Sequence, residues 1–154
     1  MNKPITTALT QRESPDKAQE AKILAMPACD YMNDEQLAFF RQRLLDERHE
    51  VEMHLKEMKE VIASHERDSD EADQASFEEE LRLSLRQADR ESRLVNNIDA
   101  ALRRIDNGDY GYCEETAEPI GIARLLFRPT ARLSIEAKER QESQEHHYRK
   151  ARWE

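Results

Sequence analysis

Glycine and proline are scarce, three and five among 154 residues, and all eight lie outside residues 28–107, so 80 consecutive positions contain neither strong helix breaker. Aromatic residues make up only 6% of the chain, which with the shortage of turn-forming glycine disfavours a β-sandwich or barrel. The two cysteines, Cys29 and Cys113, stand 84 positions apart and offer no disulfide framework. Apolar runs are short as well. None approaches the length that crosses a bilayer, and the nearest leader-like stretch, residues 23–29, is interrupted by Pro27. The sequence therefore predicts a soluble, cytoplasmic chain without membrane contact. The five histidines, His49, His54, His65, His146 and His147, show no metal-binding spacing.

Charge is what the chain has in quantity. Asp, Glu, Lys and Arg account for 37% of residues and the net charge is −9, which opposes condensation onto a phosphate backbone, so direct DNA binding is not expected. So polar a chain can bury a core only if its apolar residues are gathered into stripes. They are. Leu37, Phe40, Leu44, Val51, Leu55, Met58 and Ile62 follow a heptad seam with Arg48 at its polar position. Asn33 or Asp34 is placed to cap the helix. A second seam runs through Phe77, Leu81, Leu85, Ala88, Val95, Ile98, Leu102 and Ile105, with Ser92 in its polar gap, and ends at Asn107-Gly108, a pair suited to a left-handed cap.

The polar stretch between the seams predicts a hairpin tip, because antiparallel pairing lets each stripe bury the other. Each arm should reach about 45 Å at the usual rise per residue. The predicted fold class is mainly α: residues 1–32 as an N-terminal arm, partly disordered or packed on the head; 33–107 as an antiparallel coiled-coil hairpin with an acidic tip at 66–76; 108–133 as a compact head; and 134–154 as a C-terminal helix. Tyr110, Tyr112, Ile122, Leu125, Leu126, Phe127 and Leu133 are the expected core of the head. Residues 66–80 carry eight carboxylates against one arginine, a local charge of −7, whereas residues 121–154 are net +3. An acidic probe held far from a basic head suits insertion into a cationic or metal-containing cavity.

Several separated motifs resemble the DksA/TraR family of transcription factors: Tyr31-Met32-Asn33-Asp34-Glu35-Gln36-Leu37, Asp70-Glu71-Ala72-Asp73-Gln74-Ala75, Glu78-Glu79-Glu80, Asp109-Tyr110-Gly111-Tyr112-Cys113 and Arg128-Pro129-Thr130-Ala131. The resemblance covers residues 31–150 in matching order. It implies a non-enzymatic protein, acting as a monomer, that binds RNA polymerase at the secondary channel and rim. The coiled coil slides toward the active centre and destabilises promoter open complexes, the tip roles falling on Asp70, Asp73 and Ala75. Read without the resemblance, Asp70 and Asp73 are solvated turn residues or a helix cap.

The same resemblance implies ppGpp as co-regulator, at positions occupied here by Leu94, Asn97, Arg128 and Lys138; Asn97 replaces the family's lysine. The family's four zinc-ligand positions fall on Cys113, Thr116, Ser134 and Ala137. One thiol remains, too few ligands for a structural zinc, and this places the chain nearest the zinc-independent members, with no cofactor required. Two other functions compete: tip carboxylates that hold a second Mg²⁺ and promote transcript cleavage as Gre-type factors do, or a coiled-coil adaptor indifferent to the tip acids.

Overall fold

The computed structural model describes residues 15–68 and 74–151, in the order α1 (Pro15–Leu24), a 3₁₀ turn (Ala28–Asp30), α2 (Asp34–Asp68), α3 (Gln74–Asn107), α4 (Ile122–Phe127) and α5 (Ile135–Ala151). The fold is mainly helical. Among the described residues the one β feature is an isolated antiparallel bridge, Tyr112 to Pro119.

α2 begins where its first turn finds acceptors. Asn33 Oδ1 accepts the Gln36 N–H at 2.8 Å, and the Gln36 side chain reaches back to accept the Met32 N–H at 2.7 Å. This reciprocal cap satisfies orphan donors of the helix start and explains why Gln36 is buried although it is polar. α3 ends as its sequence predicts: Gly108 adopts φ +82°, and the Asp109 N–H turns back onto the Arg104 carbonyl at 2.9 Å.

α2 and α3, 35 and 34 residues long, pair antiparallel over about 50 Å. Arg41 pairs with Asp106, Arg48 Nε with Asp99 at 2.8 Å, and His54 Nδ1 with Glu91 at 2.8 Å, fixing one register along the hairpin. The α2 seam lies inward as expected, and Arg48 fills its polar position. The α3 seam needs two corrections. Leu85 is 54% exposed while Ser84 is half-buried, and Glu91 rather than Ser92 turns inward. The true inward line is Phe77, Leu81, Ser84, Ala88, Glu91, Val95, Ile98, Leu102 and Ile105, a strict alternation of fours and threes. Leu85 is the more apolar residue, but the steps on either side of it leave it one position out of phase.

Among the described residues of the hairpin, full burial is confined to its base. Phe40, Leu44, Ile98, Ala101 and Ile105 are buried, whereas seam residues farther out are half-covered, because two helices alone cannot enclose a side chain. The base is enclosed by the head. Tyr110, Cys113, Ile120, Leu125, Leu126, Ala131 and Ala137 complete one continuous core with it. Phe40 sits at the junction, its ring 5.3 Å from Phe39 and 5.6 Å from Tyr110. Phe127, expected in this core, is instead 93% exposed: α4 is only six residues long and its last residue points outward.

Residues before α2 are tied down from Glu20 onward. Ile23 enters the core from α1, and Glu20 and Lys22 form ion pairs with Arg43 and Glu35 of α2. Tyr31 is the main tether of this segment. Its hydroxyl donates to the Gly111 carbonyl at 2.7 Å and accepts the Gly121 N–H at 3.0 Å, and its ring meets Tyr112 edge-on. Burial raises the Tyr31 pKa above 10.0, so the hydroxyl keeps its donor proton at neutral pH. Gly111 has φ +89°, and a Cβ there would lie 2.7 Å from Met32 Cγ, so both backbone conformation and close packing require glycine.

Candidate functional site

Three places bear the residues singled out by sequence. Of the tip residues expected from sequence, Asp70 and Asp73 lie outside the described residues, and Ala75 falls in the first turn of α3. The other two sites are in the head, and both depend on how its loops are pinned to the hairpin. Arg104, with only 12% of its side chain exposed, donates to the carbonyls of Asp109 at 3.1 Å and of Tyr112, holding the start of the head against α3. Tyr110 is buried and donates its hydroxyl to the Pro129 carbonyl at 2.8 Å, which fixes the loop after α4; burial pushes its pKa far up. Neither role was visible in sequence, since both act through backbone carbonyls brought close only by folding.

The loop so held borders an open cavity of about 180 Å³ between α3, α4 and α5. Asn97, Arg128 and Lys138 line it together, as do Arg124 and Arg132, which sequence reasoning did not single out. Leu94 does not line it; it packs against the core one turn earlier on α3. Arg124 Nε donates to the Leu133 carbonyl at 3.1 Å, while the Lys138 ammonium lies 3.3 Å from Gln141 Oε1 and 3.6 Å from Glu142. Among the described residues, no carboxylate lines this cavity. Such a surface attracts phosphate groups, for which guanidinium supplies paired donors and ammonium a point charge.

A larger groove of about 860 Å³ lies between α1 and α2 beside Phe127. Its lining includes Glu35, Asp46, Glu47 and Glu50 against Lys22 and Arg43. Burial raises the Glu47 carboxyl; Arg43 lowers it in part and Glu50 raises it further. A groove of that sign repels phosphate, so volume is a poor guide to the anion site.

The four residues that the resemblance sets at zinc-ligand positions, Cys113, Thr116, Ser134 and Ala137, also come together. Cys113 is 3% exposed. Burial opposes its ionisation, yet hydrogen bonds from the Thr116 hydroxyl and from the backbone N–H groups of Ser134, Thr116 and Glu115 bring the thiol down from 9.0 to about 6. Ser134 spends its hydroxyl as the cap of α5, accepting the Ala137 N–H at 3.2 Å, and Ala137 is wholly buried. One thiol, two hydroxyls and a methyl do not fit tetrahedral zinc. Among the described residues, no group of three or more His, Cys, Asp and Glu side chains is arranged to hold a metal ion. A hydrogen-bonded sulfur, the α5 cap and packing all contribute to holding the head together.

This sulfur has a testable consequence. A thiol whose pKa is lower folded than unfolded adds nothing to stability below about pH 6; the contribution grows above that value and is complete once the unfolded thiol also ionises near 9.0. Urea unfolding at a series of pH values should show the parent gaining on Cys113→Ser by at most about 1.4 kcal/mol per pH unit across this window. Parallel stability curves for the two proteins would exclude a buried thiolate.

Comparison with known proteins places this arrangement. Residues 36–105 match the family described as DnaK suppressor protein DksA, N-terminal domain, and residues 108–143 match the prokaryotic dksA/traR C4-type zinc finger. The chain is 47% identical over 123 residues to the RNA polymerase-binding transcription factor DksA of Caulobacter vibrioides, covering 77% of this chain and 84% of that one. It is 41% identical over 117 residues to the protein of the same description from Escherichia coli K12, covering 73% and 75% of the two chains. The solved structure of transcription factor DksA2 from Pseudomonas aeruginosa superposes with a TM-score of 0.77 at 50% identity, covering 82% of this chain and 98% of that one. Among the described residues no helix is long and apolar enough to cross a membrane.

Proposed function

The chain belongs to the DksA/TraR family of transcription factors, and from that premise we propose that it binds RNA polymerase and regulates initiation without catalysing a reaction. Its hairpin enters the secondary channel while the head rests on the channel rim. Asp70, Asp73 and Ala75 contact the active centre and destabilise promoter open complexes. ppGpp joins at Arg128, Lys138 and Asn97, flanked by Leu94. The head works without zinc, and the protein acts in the cytoplasm as a monomer, with no direct contact to DNA.

The observation that carries this reading is the long hairpin, closed at its base by one continuous core and bearing the acidic sequence at its far end. Rigidity at the base matters, because a loosely held stalk would spend binding energy on being oriented. Regulation then needs only a difference in affinity between two states of the promoter complex, and promoters whose open complexes are intrinsically short-lived respond most. The unusual donor set at Cys113, Thr116, Ser134 and Ala137 supports zinc independence.

The test is capture of core RNA polymerase followed by measurement of open-complex lifetimes, each with and without chelator and ppGpp. Capture should occur, lifetimes should shorten, ppGpp should shorten them further, and chelator should change neither. Absence of capture contradicts the reading as a whole, and loss of function in chelator contradicts zinc independence.

A further inference from the structure

The cationic cavity presents an imbalance that the proposed ppGpp contacts leave unexplained. Asn97 brings no charge, yet the cavity is lined by Arg124, Arg128, Arg132 and Lys138. These cations are not equivalent. Arg124 is engaged in the fold through its bond to the Leu133 carbonyl. Arg132 is 58% exposed, and its nearest anionic partner, Glu114, stands 3.8 Å away, beyond hydrogen-bond distance. Its position follows from a tight turn: the Ala131 N–H donates to the Arg128 carbonyl at 3.0 Å, and the chain folds back so that Arg128 and Arg132 line one cavity.

We infer that Arg132 supplies the cationic contact to the ligand's phosphates that Asn97 cannot make, and so preserves a polyphosphate site in a chain lacking the ammonium at position 97. This rests on the reading of the cavity as the ppGpp site. A guanidinium can meet a phosphate with two parallel donors, so one arginine at the rim offsets one lost lysine in charge and adds directional bonding. The Glu114 carboxylate holds Arg132 only weakly, and a phosphate brought within hydrogen-bond distance displaces it.

The experiment titrates ppGpp against open-complex lifetime on RNA polymerase, with every lifetime expressed relative to the same variant without ppGpp. Arg132→Ala should raise the half-maximal ppGpp concentration about tenfold, the loss of one charge-assisted contact. The double variant Arg132→Ala with Asn97→Lys should recover to within about threefold of the parent, because the two side chains serve the same phosphates. An Arg132→Ala protein with the parent's half-maximal concentration, or a double variant as weak as Arg132→Ala, overturns the inference. Arg128→Ala separates the two levels of the claim. If it loses the response while Arg132→Ala does not, Arg132 alone is excluded; if Arg128→Ala responds like the parent, the ppGpp reading of the cavity fails with it.

Discussion

Phe40→Ala should lower the unfolding free energy by about 3–5 kcal/mol, among the largest losses available to a single substitution in this chain. The ring is completely buried, and it belongs to both halves of the molecule: it occupies the α2 seam and packs on Tyr110 of the head. Truncation leaves a cavity at the point where hairpin and head share a core, and little around it can collapse, because Leu44, Ile98 and Leu125 are also fully buried. Phe40→Leu keeps most of the volume and should cost less than about 1.5 kcal/mol. Urea unfolding of both variants decides the matter. A loss below about 1 kcal/mol for Phe40→Ala would mean that the hairpin and head do not stabilise each other.

Asp73→Asn should have a correspondingly large effect on activity and little on folding. Asparagine caps a helix about as well as aspartate, so if position 73 serves only as a cap, the substitution is nearly silent. If the carboxylate meets the charged interior of the polymerase channel, loss of one negative charge removes an interaction worth several kcal/mol at a weakly screened site. The expected result is polymerase binding within about threefold of the parent and at least tenfold less shortening of open-complex lifetime. Open-complex lifetimes equal to the parent's would return Asp73 to the role of a turn or cap residue and favour the adaptor reading. Release of a 3′ fragment from a backtracked complex would favour transcript cleavage.

Periodicity exposed most of the architecture because the helices are long and free of breakers. The α2 seam, its Asn33 cap and the Gly108 terminus are local patterns, written in spacing and in residues with special backbone preferences. The errors arose where a tertiary partner outweighed hydropathy. Glu91 turns inward because His54 on α2 meets it and Gln87 donates to the same oxygen, at 3.1 Å, so a charged residue holds the seam position that the sequence assigns to Ser92. Phe127 looks like core by composition, but a six-residue helix has too few positions to turn every apolar side chain inward. α1 shows no apolar stripe because, among its described side chains, Ile23 alone is buried and ion pairs supply the other anchors.

The cavity was legible only in part. Asn97, Arg128 and Lys138 were found through family motifs. Arg124 and Arg132 appeared in sequence merely as contributors to a basic C-terminal portion, since the turn that gathers them is closed by backbone hydrogen bonds. Cys113 was singled out through the resemblance, but the lowering of its thiol pKa was not legible, because three of its donors are backbone N–H groups that no side-chain pattern reports.

The most direct test of the central claim is site-specific photocrosslinking from residue 75, beside the acidic stretch of sequence between α2 and α3, in a complex with RNA polymerase. The account predicts crosslinks to the catalytic subunits at elements lining the active centre, weakened by a competing protein that occupies the secondary channel. Crosslinks restricted to the outer surface of the polymerase, or unaffected by such a competitor, would contradict it.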